Sequence, residues 1–386
     1  MYSLFIFNFK MRKLLAYIVL VTFLAVFIVA SSHELNNKVH EYKIYTKSIL
    51  RSDKERYGDL YDMSYLSAYK DLNHNKHQIK YPDCTLPKKT DLYVFADSYV
   101  WPFFDNEKYY CGVDKLTYWR LGSRSLARVK PDPTKKNILL MEFSERNLRY
   151  ILDDASFVDE MLKAIQNTLP SEPATTLVNK ESLKDKVFKS VFNKNINTNL
   201  EGLIWGIPAV SAIKEFKADV NYKLFGSTNY YVTPSKKIRQ LYFTYTIDTT
   251  ENMSSFKPVT KEEIDNIVIQ LNRLYDAGKM AGFKNIYLTI VPNPVSVLEP
   301  DYNGFTYNKL LERVQQSPDL KITFIDLMND FARLKQKVYS QTDSHWNWTG
   351  AYLWLDKFND ALLKANSDTA RKITSSAFPK HRLRSR

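Results

Sequence analysis

The sequence predicts an α/β fold of three layers, in which a mainly parallel sheet lies between two layers of helices. The first observation is that four strand-length segments are almost continuously apolar, as expected of strands covered on both faces. These segments are residues 91–97, 137–143, 285–291 and 321–326. The second is that helical patterns alternate with them, which is typical of crossover connections. In such sheets the functional groups collect at the carboxyl ends of the strands.

An apolar segment near the N-terminus predicts a transmembrane anchor over residues 14–31. Its core, Leu14–Ala30, contains no charge, Pro or Gly, and as a helix it would be about 25 Å long, close to the thickness of a bilayer core. Three positive charges precede it and none follows until Lys38, so the positive-inside rule places residues 1–13 in the cytoplasm and the rest outside. A cleaved signal peptide is the alternative, but the apolar run is long and residues 28–30 form a poor cleavage site.

The remainder of the chain divides by composition. Residues 32–88 are polar, charged and rich in Tyr, which predicts a stalk, whereas residues 89–365 hold the alternating strands and helices. Residues 366–386 form a basic tail. Between 195 and 258 short aromatic runs interrupt the alternation and predict an insertion packed over the sheet. Because exposed aromatic rings offer flat faces on which sugars can stack, this insertion is either a saccharide-facing lid or a subdomain with its own small core.

Helical segments are predicted between the strands. The clearest begins at Thr260, which forms a capping box with Glu263, continues with an apolar stripe to Ala281, and ends at Gly282. The other predicted helices cover residues 157–169, 182–192, 307–314 and 350–363.

Composition and charge narrow the class of protein. The 386 residues are 44% hydrophobic and 25% charged, which excludes a disordered or low-complexity chain. The formal net charge of +13 suits either a solvated basic surface or an acidic partner. Export argues against nucleic acid as the partner. Two cysteines exclude a disulfide-dense scaffold, and Cys84 and Cys111 either form one disulfide or remain free thiols.

One of the six histidines has the sequence context of a catalytic base. His345 follows Asp343 by two residues, just before an apolar helical segment. A carboxylate at this spacing can accept the Nδ1 proton and leave Nε2 as the base, although an ordinary loop with a capping Asp is the alternative. His74 and His77 form an isolated pair with no third ligand nearby, which is more typical of a surface than of a metal site. We therefore predict neither a metal nor a cofactor.

Ser98 is the predicted nucleophile. It directly follows the apolar segment 91–97, so its hydroxyl would lie at the carboxyl edge of a buried strand, where neighbouring backbone amides can face an oxyanion. Asp-Ser is also a common turn pair. The prediction therefore depends on the combination of this serine with the Asp-x-His segment near the end of the chain.

These segments resemble blocks of the SGNH (GDSL-like) hydrolase superfamily. Ala96-Asp97-Ser98 resembles its Gly-Asp-Ser block, and Asp343-Ser344-His345-Trp346 resembles the Asp-x-His-Trp block of its alginate O-acetyltransferase branch. Three further segments resemble that branch: Glu142–Leu148, Ile290–Pro294 and Ile325–Leu327. In the alginate branch the Asp-x-His block comes before the serine block, whereas here the serine comes first, as in ordinary SGNH hydrolases.

The resemblance implies an SGNH-like domain and an exported O-acyltransferase with acetyl as its acyl group, which the predicted N-terminal helix would anchor to the membrane. Ser98, His345 and Asp343 would form its triad. The acceptor would be a cell-surface or secreted polysaccharide on the periplasmic or extracellular side. Because acetyl-CoA is not available there, a membrane O-acyltransferase partner would supply the acyl group.

The oxyanion donors stay open at this point. Ala96 stands where the family has Gly, and no Gly-x-Asn-Asp block is found. The Ser98 amide, Gly112 and Arg146 are the possible donors, and Arg146 either orients substrate or forms a structural ion pair. Two alternative functions use the same features: a carbohydrate acetyl esterase with the same triad, and a non-catalytic envelope assembly protein with a degenerate triad.

Overall fold

A computed structural model describes most of the chain and divides it into two compact units. The described residues are 2–32, 34–36, 38–39, 53–72, 74, 80–84, 86–101, 103–123, 126–128, 130–166, 196–205 and 208–376. The first unit comprises Met1–Asn75 and Ala174–Asn229, and the second comprises Lys76–Pro173 and Tyr230–Arg386. The predicted insertion, residues 195–258, is divided between these two units.

The second unit is built on a five-stranded sheet with the strand order β2-β1-β3-β6-β9. All four strand pairs are parallel. The strands are β1 (Thr90–Ala96), β2 (Val113–Arg120), β3 (Lys136–Ser144), β6 (Asn285–Val291) and β9 (Thr323–Phe324). The predicted α/β class with a mainly parallel sheet is confirmed. Two antiparallel hairpins accompany the sheet: β4 (Val232–Pro234) with β5 (Leu241–Phe243), and β7 (Asp301–Tyr302) with β8 (Phe305–Thr306).

Helices cover both faces of the sheet. The helices of the second unit are α4 (Glu145–Asp153), α5 (Ala155–Gln166), α8 (Lys261–Met280), α9 (Pro294–Leu298), α10 (Leu310–Gln315), α11 (Met328–Leu334) and α12 (Trp348–Ser376). Alternate residues of β3 separate two buried clusters: Leu139 and Met141 pack with α4, α5, α8 and α10, whereas Ile138 and Leu140 pack with α12. The sheet is therefore the middle of three layers.

The capping box predicted for α8 is confirmed. The Thr260 side chain accepts a hydrogen bond from the Glu263 amide, and the Glu263 carboxylate accepts one from the Thr260 amide. Within α8, Gly278 lies so close to β6 that an added Cβ would be 2.7 Å from Cδ1 of Ile286. Small size at position 278 lets the helix approach the sheet closely.

The last helix of the structure is longer than predicted. The last helix was expected over 350–363, but α12 extends to Ser376, so the first part of the predicted tail 366–386 is helical. The predicted helix over 182–192 lies outside the described residues. Cys84 and Cys111 are free cysteines, and Cys111 is buried.

The first unit contains the apolar N-terminal helix. Its helices are α1 (Tyr2–Ser31), α2 (Asp53–Tyr57), α3 (Asp59–Ser64), α6 (Ile196–Trp205) and α7 (Pro208–Phe225). Met11–Ser31 of α1, with a mean hydropathy of 2.7, is long and apolar enough to cross a membrane or to be a signal sequence. The predicted stalk contributes α2 and α3, whose tyrosines cluster together and pack against Ala218 of α7.

Candidate active site

Ser98 lies immediately beyond the carboxyl end of β1. The strand is fully buried along its length, which fixes the backbone that leads into the serine. The next residues form a turn, in which the amides of Val100 and Trp101 both point to the carbonyl of Asp97. The hydroxyl of a half-buried serine is thereby held at the edge of the sheet, as the sequence predicted.

His345 and Asp343 lie in a loop whose two ends are joined by backbone contacts. Tyr339 and Trp346 form an isolated antiparallel bridge, and the Asn347 amide donates to the carbonyl of Val338. The Asn347 side chain then accepts from the amides of Thr349 and Gly350 at the start of α12. This side chain caps the helix, so the capping role considered for Asp343 belongs to Asn347.

The three predicted triad residues lie within hydrogen-bond distance of one another. Nε2 of His345 is 2.8 Å from Oγ of Ser98, and its Nδ1 is 2.6 Å from Oδ1 of Asp343. The Asp343 oxygen also accepts the backbone amide of His345 at 3.0 Å. The histidine and aspartate side chains are 19% and 13% exposed, so solvent reaches the group. A carboxylate on Nδ1 leaves Nε2 able to take a proton from the serine.

Tyr99 holds the histidine loop against the serine turn. Its hydroxyl donates to the Ser344 carbonyl at 2.6 Å, and its ring lies 4.7 Å from the His345 ring, centroid to centroid. The Tyr99 ring also makes an edge-to-face contact with Trp346, with ring centroids 5.3 Å apart. Since Tyr99 follows the serine directly, one buried side chain links two segments that are far apart in sequence.

Asp97 organises the turn that carries Ser98. Its carboxylate accepts hydrogen bonds from the Ser98 amide at 2.7 Å, from the Ser144 hydroxyl at 2.5 Å and from the Asn147 amide group at 2.7 Å. Removal from water would raise the pKa of Asp97, but the charge of Arg146 and these hydrogen bonds outweigh that effect and hold the pKa below its usual value. Asp97 is therefore ionised at neutral pH.

Glu142 is a second, fully buried carboxyl group beside Asp97. Its Oε2 accepts the Asp97 amide at 2.7 Å, whereas its Oε1 has no hydrogen-bond partner among the described residues. Burial, and next the negative charge of Asp97, raise the pKa of Glu142 well above its usual value. These effects favour the protonated, neutral form of Glu142.

Arg146 brings a positive charge to the triad. Its Nη2 lies 3.5 Å from Nε2 of His345, and its guanidinium lies over the rings of Tyr99 and Phe243 at 5.4 and 5.7 Å. Arg146 is the second residue of α4, directly after β3, so the same sheet edge positions both the arginine and Ser98. A cation here can stabilise negative charge that develops near the serine.

Glu145, the first residue of α4, connects the start of that helix to the loop after β6. Its carboxylate accepts from the Asn293 amide at 2.8 Å and from the Ser296 hydroxyl at 2.7 and 2.9 Å. Burial raises the pKa of Glu145 to about 7, although these hydrogen bonds oppose the shift. The proline loop at 292–294 therefore supports the edge on which Arg146 stands.

The two other predicted oxyanion donors are not available at the serine. Gly112 lies at the opposite edge of the sheet, because Val113, the first residue of β2, pairs with Thr90, the first residue of β1. The prediction for Gly112 is therefore wrong: its positive φ of 74° serves the turn into β2. The Ser98 amide is already bonded to Asp97. Of the predicted donors, Arg146 is the one beside the triad.

Sequence reasoning missed the residues that support the triad rather than form it. Asp97, Asn147 and Glu142 all lie in the quoted motif segments, but only their spatial arrangement shows which of them meet. Asp326, in a third such segment, bonds to the Met328 amide and the Asn329 side chain and so caps the next helix.

No family model matches this chain, and neither a curated protein nor a solved structure is detectably similar to it.

Proposed function

We propose that this protein is an exported, membrane-anchored O-acyltransferase that modifies a polysaccharide through Ser98, His345 and Asp343. The observation that carries the proposal is the continuous pair of hydrogen bonds from Asp343 through His345 to Ser98, at 2.6 and 2.8 Å. This arrangement converts a serine hydroxyl into a nucleophile. The motif resemblance supports acetyl as the acyl group.

The reaction would proceed in two half-reactions. Oγ of Ser98 attacks the carbonyl carbon of an acyl donor while Nε2 of His345 takes the serine proton, and collapse of the tetrahedral intermediate passes that proton to the leaving group. A sugar hydroxyl then attacks the acyl-serine and gives its proton to His345. The second collapse releases the ester and returns the proton to Ser98. Arg146 would stabilise the oxyanion in both steps.

An aromatic surface beside Arg146 supports a sugar acceptor. Phe243 of β5 faces the Arg146 guanidinium, and Tyr231 stacks near it with ring centroids 6.4 Å apart. Tyr230 and Tyr231 are 67% and 44% exposed. Beneath these rings, Tyr242 of β5 is buried in a small cluster that includes Val295, Tyr302 and Tyr307 from outside the insertion. The exposed rings support the first alternative for the insertion, a saccharide-facing lid.

The packing of α1 supports an anchor that is retained. The side chain of Asn199, in α6, donates to the carbonyl of Ala30 at 2.8 Å and accepts from Asn36 at 3.3 Å. Removal of a signal peptide that ends at Ala30 would eliminate the contact between Asn199 and Ala30. An anchored domain outside the cytoplasm would depend on a membrane O-acyltransferase partner for its acyl group.

A carbohydrate acetyl esterase is the second candidate function. The partial exposure of His345 and Asp343 favours it, because water can reach the triad. Transfer requires that the acceptor sugar outcompete this water for the acyl-serine.

One experiment tests both. The full chain in detergent is given p-nitrophenyl acetate with and without an acidic polysaccharide, and acetyl on the peptide containing Ser98, acetyl on the polymer and free acetate are measured. We expect acetyl-serine and polymer ester. Free acetate alone would favour the esterase. Ser98→Ala should lower turnover on the order of 10⁴-fold, and Ser317→Ala serves as the control. Absence of any acetylation at Ser98 would favour the non-catalytic alternative.

A further inference from the structure

Helix α7 exposes a row of large apolar side chains. Ile213, Phe216 and Leu224 are 69, 73 and 70% exposed, and Phe225 at the end of the helix is 75% exposed. The first three lie on one face at helical spacing. Such a concentration of exposed apolar surface on one helix marks a contact with something outside the described chain.

The opposite face of α7 already has its partner within the first unit. Ser211 donates a hydrogen bond to Asp53, Glu215 binds Tyr61, and Ala218 packs on the tyrosine cluster of α2 and α3. The Lys70 ammonium adds a 2.6 Å ion pair to Glu215. Because this face fixes the orientation of α7, the apolar row must point away from the unit.

Positive charges border the apolar row. At 100° per residue, Lys217 and Lys223 fall on its two edges, and both are exposed. An apolar stripe with lysines along its borders is the pattern of a helix that lies in a membrane interface, with its apolar face in the acyl region and its ammonium groups among anionic headgroups.

The preceding helix connects α7 to the membrane-crossing segment. Leu200 of α6 lines a small apolar cavity together with Ile18, Val19, Thr22, Phe23 and Val26 of α1. Asn199 bonds to Ala30 near the end of the same span. The sequence from Leu203 to Val210 is apolar apart from Gly206 and Pro208, and an apolar stretch of this length is too short to span a bilayer but suits an interfacial segment.

We infer that α6 and α7 form a second membrane contact, in which the apolar row of α7 lies in the outer leaflet beside α1. The inference rests on the part of the proposed function in which α1 crosses the membrane. The apolar row of α7 contacts lipid. It follows directly after α6, which packs on the membrane-crossing helix α1, and the lysines along its borders complement anionic headgroups.

The test places a nitroxide label on single positions of the full chain in vesicles of phosphatidylcholine and phosphatidylglycerol. Phe216 and Leu224 are replaced one at a time by p-acetylphenylalanine, which carries the label and leaves the native cysteines unchanged. Leu20 in α1 is the lipid control, and Leu72, 69% exposed in the polar part of the same unit, is the aqueous control. Accessibility to oxygen, which concentrates in lipid, is compared with accessibility to a water-soluble nickel chelate.

We expect several-fold higher oxygen-to-nickel ratios at 216 and 224 than at 72. Nickel accessibility at 216 and 224 equal to that at 72 would overturn the inference, and protection from both reagents would replace lipid with a protein contact. The control at position 20 distinguishes failure of the α7 contact from failure of the membrane anchor α1. If position 20 is in lipid while 216 and 224 are in water, only this inference fails; if position 20 is also in water, the membrane anchor fails as well.

Discussion

At the scale of single residues, two neighbouring carboxyl groups hold the turn that carries Ser98, and their pKa values are shifted in opposite directions. The positive charge of Arg146 and several hydrogen bonds stabilise the Asp97 carboxylate and hold its pKa below the usual value. Glu142 is buried with one oxygen lacking a partner among the described residues, and its pKa is raised. In the protonated form that burial favours, Glu142 can accept the Asp97 amide without adding a second negative charge beside Ser98.

Conservative substitutions should therefore have unequal effects at these two positions. Asp97→Asn removes the negative charge that the nearby Arg146 stabilises and one of the two accepting oxygens of this side chain, so kcat should fall by about tenfold or more, since each hydrogen bond to a charged group contributes about 2 kcal/mol. Glu142→Gln replaces a neutral group by a neutral group of equal shape and should change kcat little. Steady-state kinetics with p-nitrophenyl acetate measure both. Equal losses in the two variants would contradict the assigned charge states.

Glu145 should make stability depend on pH. Its pKa is about 7 in the folded protein against a usual 4.5, so the folded state binds a proton that the unfolded state has lost between these values. The contribution of Glu145 to the free energy of unfolding should thus be largest below pH 4.5 and fall by about 3 kcal/mol as pH rises to about 7. Glu145→Gln should remove that part of the slope.

Urea unfolding of the full chain from pH 4.5 to 8 provides the measurement, and the difference between the parent and Glu145→Gln isolates the contribution of this group. Asp319→Asn is a suitable control, because it also removes one carboxylate, but from an exposed position. An identical pH slope in the parent and in Glu145→Gln would contradict the assigned shift.

At the scale of elements, the hairpin β4–β5 and the triad should contribute to different kinetic constants. Replacing Tyr230 and Tyr231 together by Ala removes exposed rings without touching Ser98 or His345. The KM for a polysaccharide acceptor should rise several-fold, while kcat for acetylation by p-nitrophenyl acetate should stay unchanged, because that step needs no acceptor. Phe305→Ala, which removes an aromatic ring of 49% exposure from β8, is the matched control. Loss of both activities would assign the tyrosines to the stability of the hairpin instead.

The buried strands were predictable, whereas the edges of the sheet were not. β1, β3 and β6 are covered on both faces, so their sequences are mostly apolar. β2 is an edge strand with exposed and half-buried residues, and its mixed sequence gives no periodic signal. Only Thr323 and Phe324 of the predicted strand 321–326 pair with β6, because the following residues turn into the cap of α11.

The triad was predictable and its support was not. Asp343 and His345 are two residues apart, and Ser98 directly follows an apolar strand, so local patterns identify all three. The contacts of Asp97 with Asn147, and of Tyr99 with Ser344, join segments separated by 50 and 245 positions. A single sequence contains no signal for such pairs. Gly112 is a possible oxyanion donor by sequence, and only the strand register shows that it lies at the amino ends of β1 and β2, away from Ser98.

The loop that carries His345 also depends on close backbone packing. Gly350, at the start of α12, lies so near the Val338 carbonyl that an added Cβ would be 2.5 Å from its oxygen. The same carbonyl accepts the Asn347 amide. A residue without a side chain is therefore required where the loop and the helix meet, although a lone glycine in an apolar helical pattern gave no hint of this role.

At the scale of the whole molecule, the question is whether α1 remains part of the mature protein. The contacts between α6 and α1 use the Asn199 side chain and the carbonyl of Ala30, the last residue of the poor cleavage site at 28–30. An apolar helix that is removed after export would have no reason to be bound by a helix nearly 170 residues later in the chain. This packing favours an integral anchor.

We therefore expect the mature protein to keep its N-terminal helix. Intact-mass measurement of the protein isolated from membranes should give a mass that includes residues 14–31, and alkaline carbonate should leave the protein in the membrane pellet, because a span of mean hydropathy 2.7 is held by the hydrocarbon core rather than by charge. A mass that ends near Ala30, with the protein in the soluble fraction, would contradict this expectation. The triad chemistry would survive that outcome, but the acyl donor would then have to be soluble rather than handed over at the membrane.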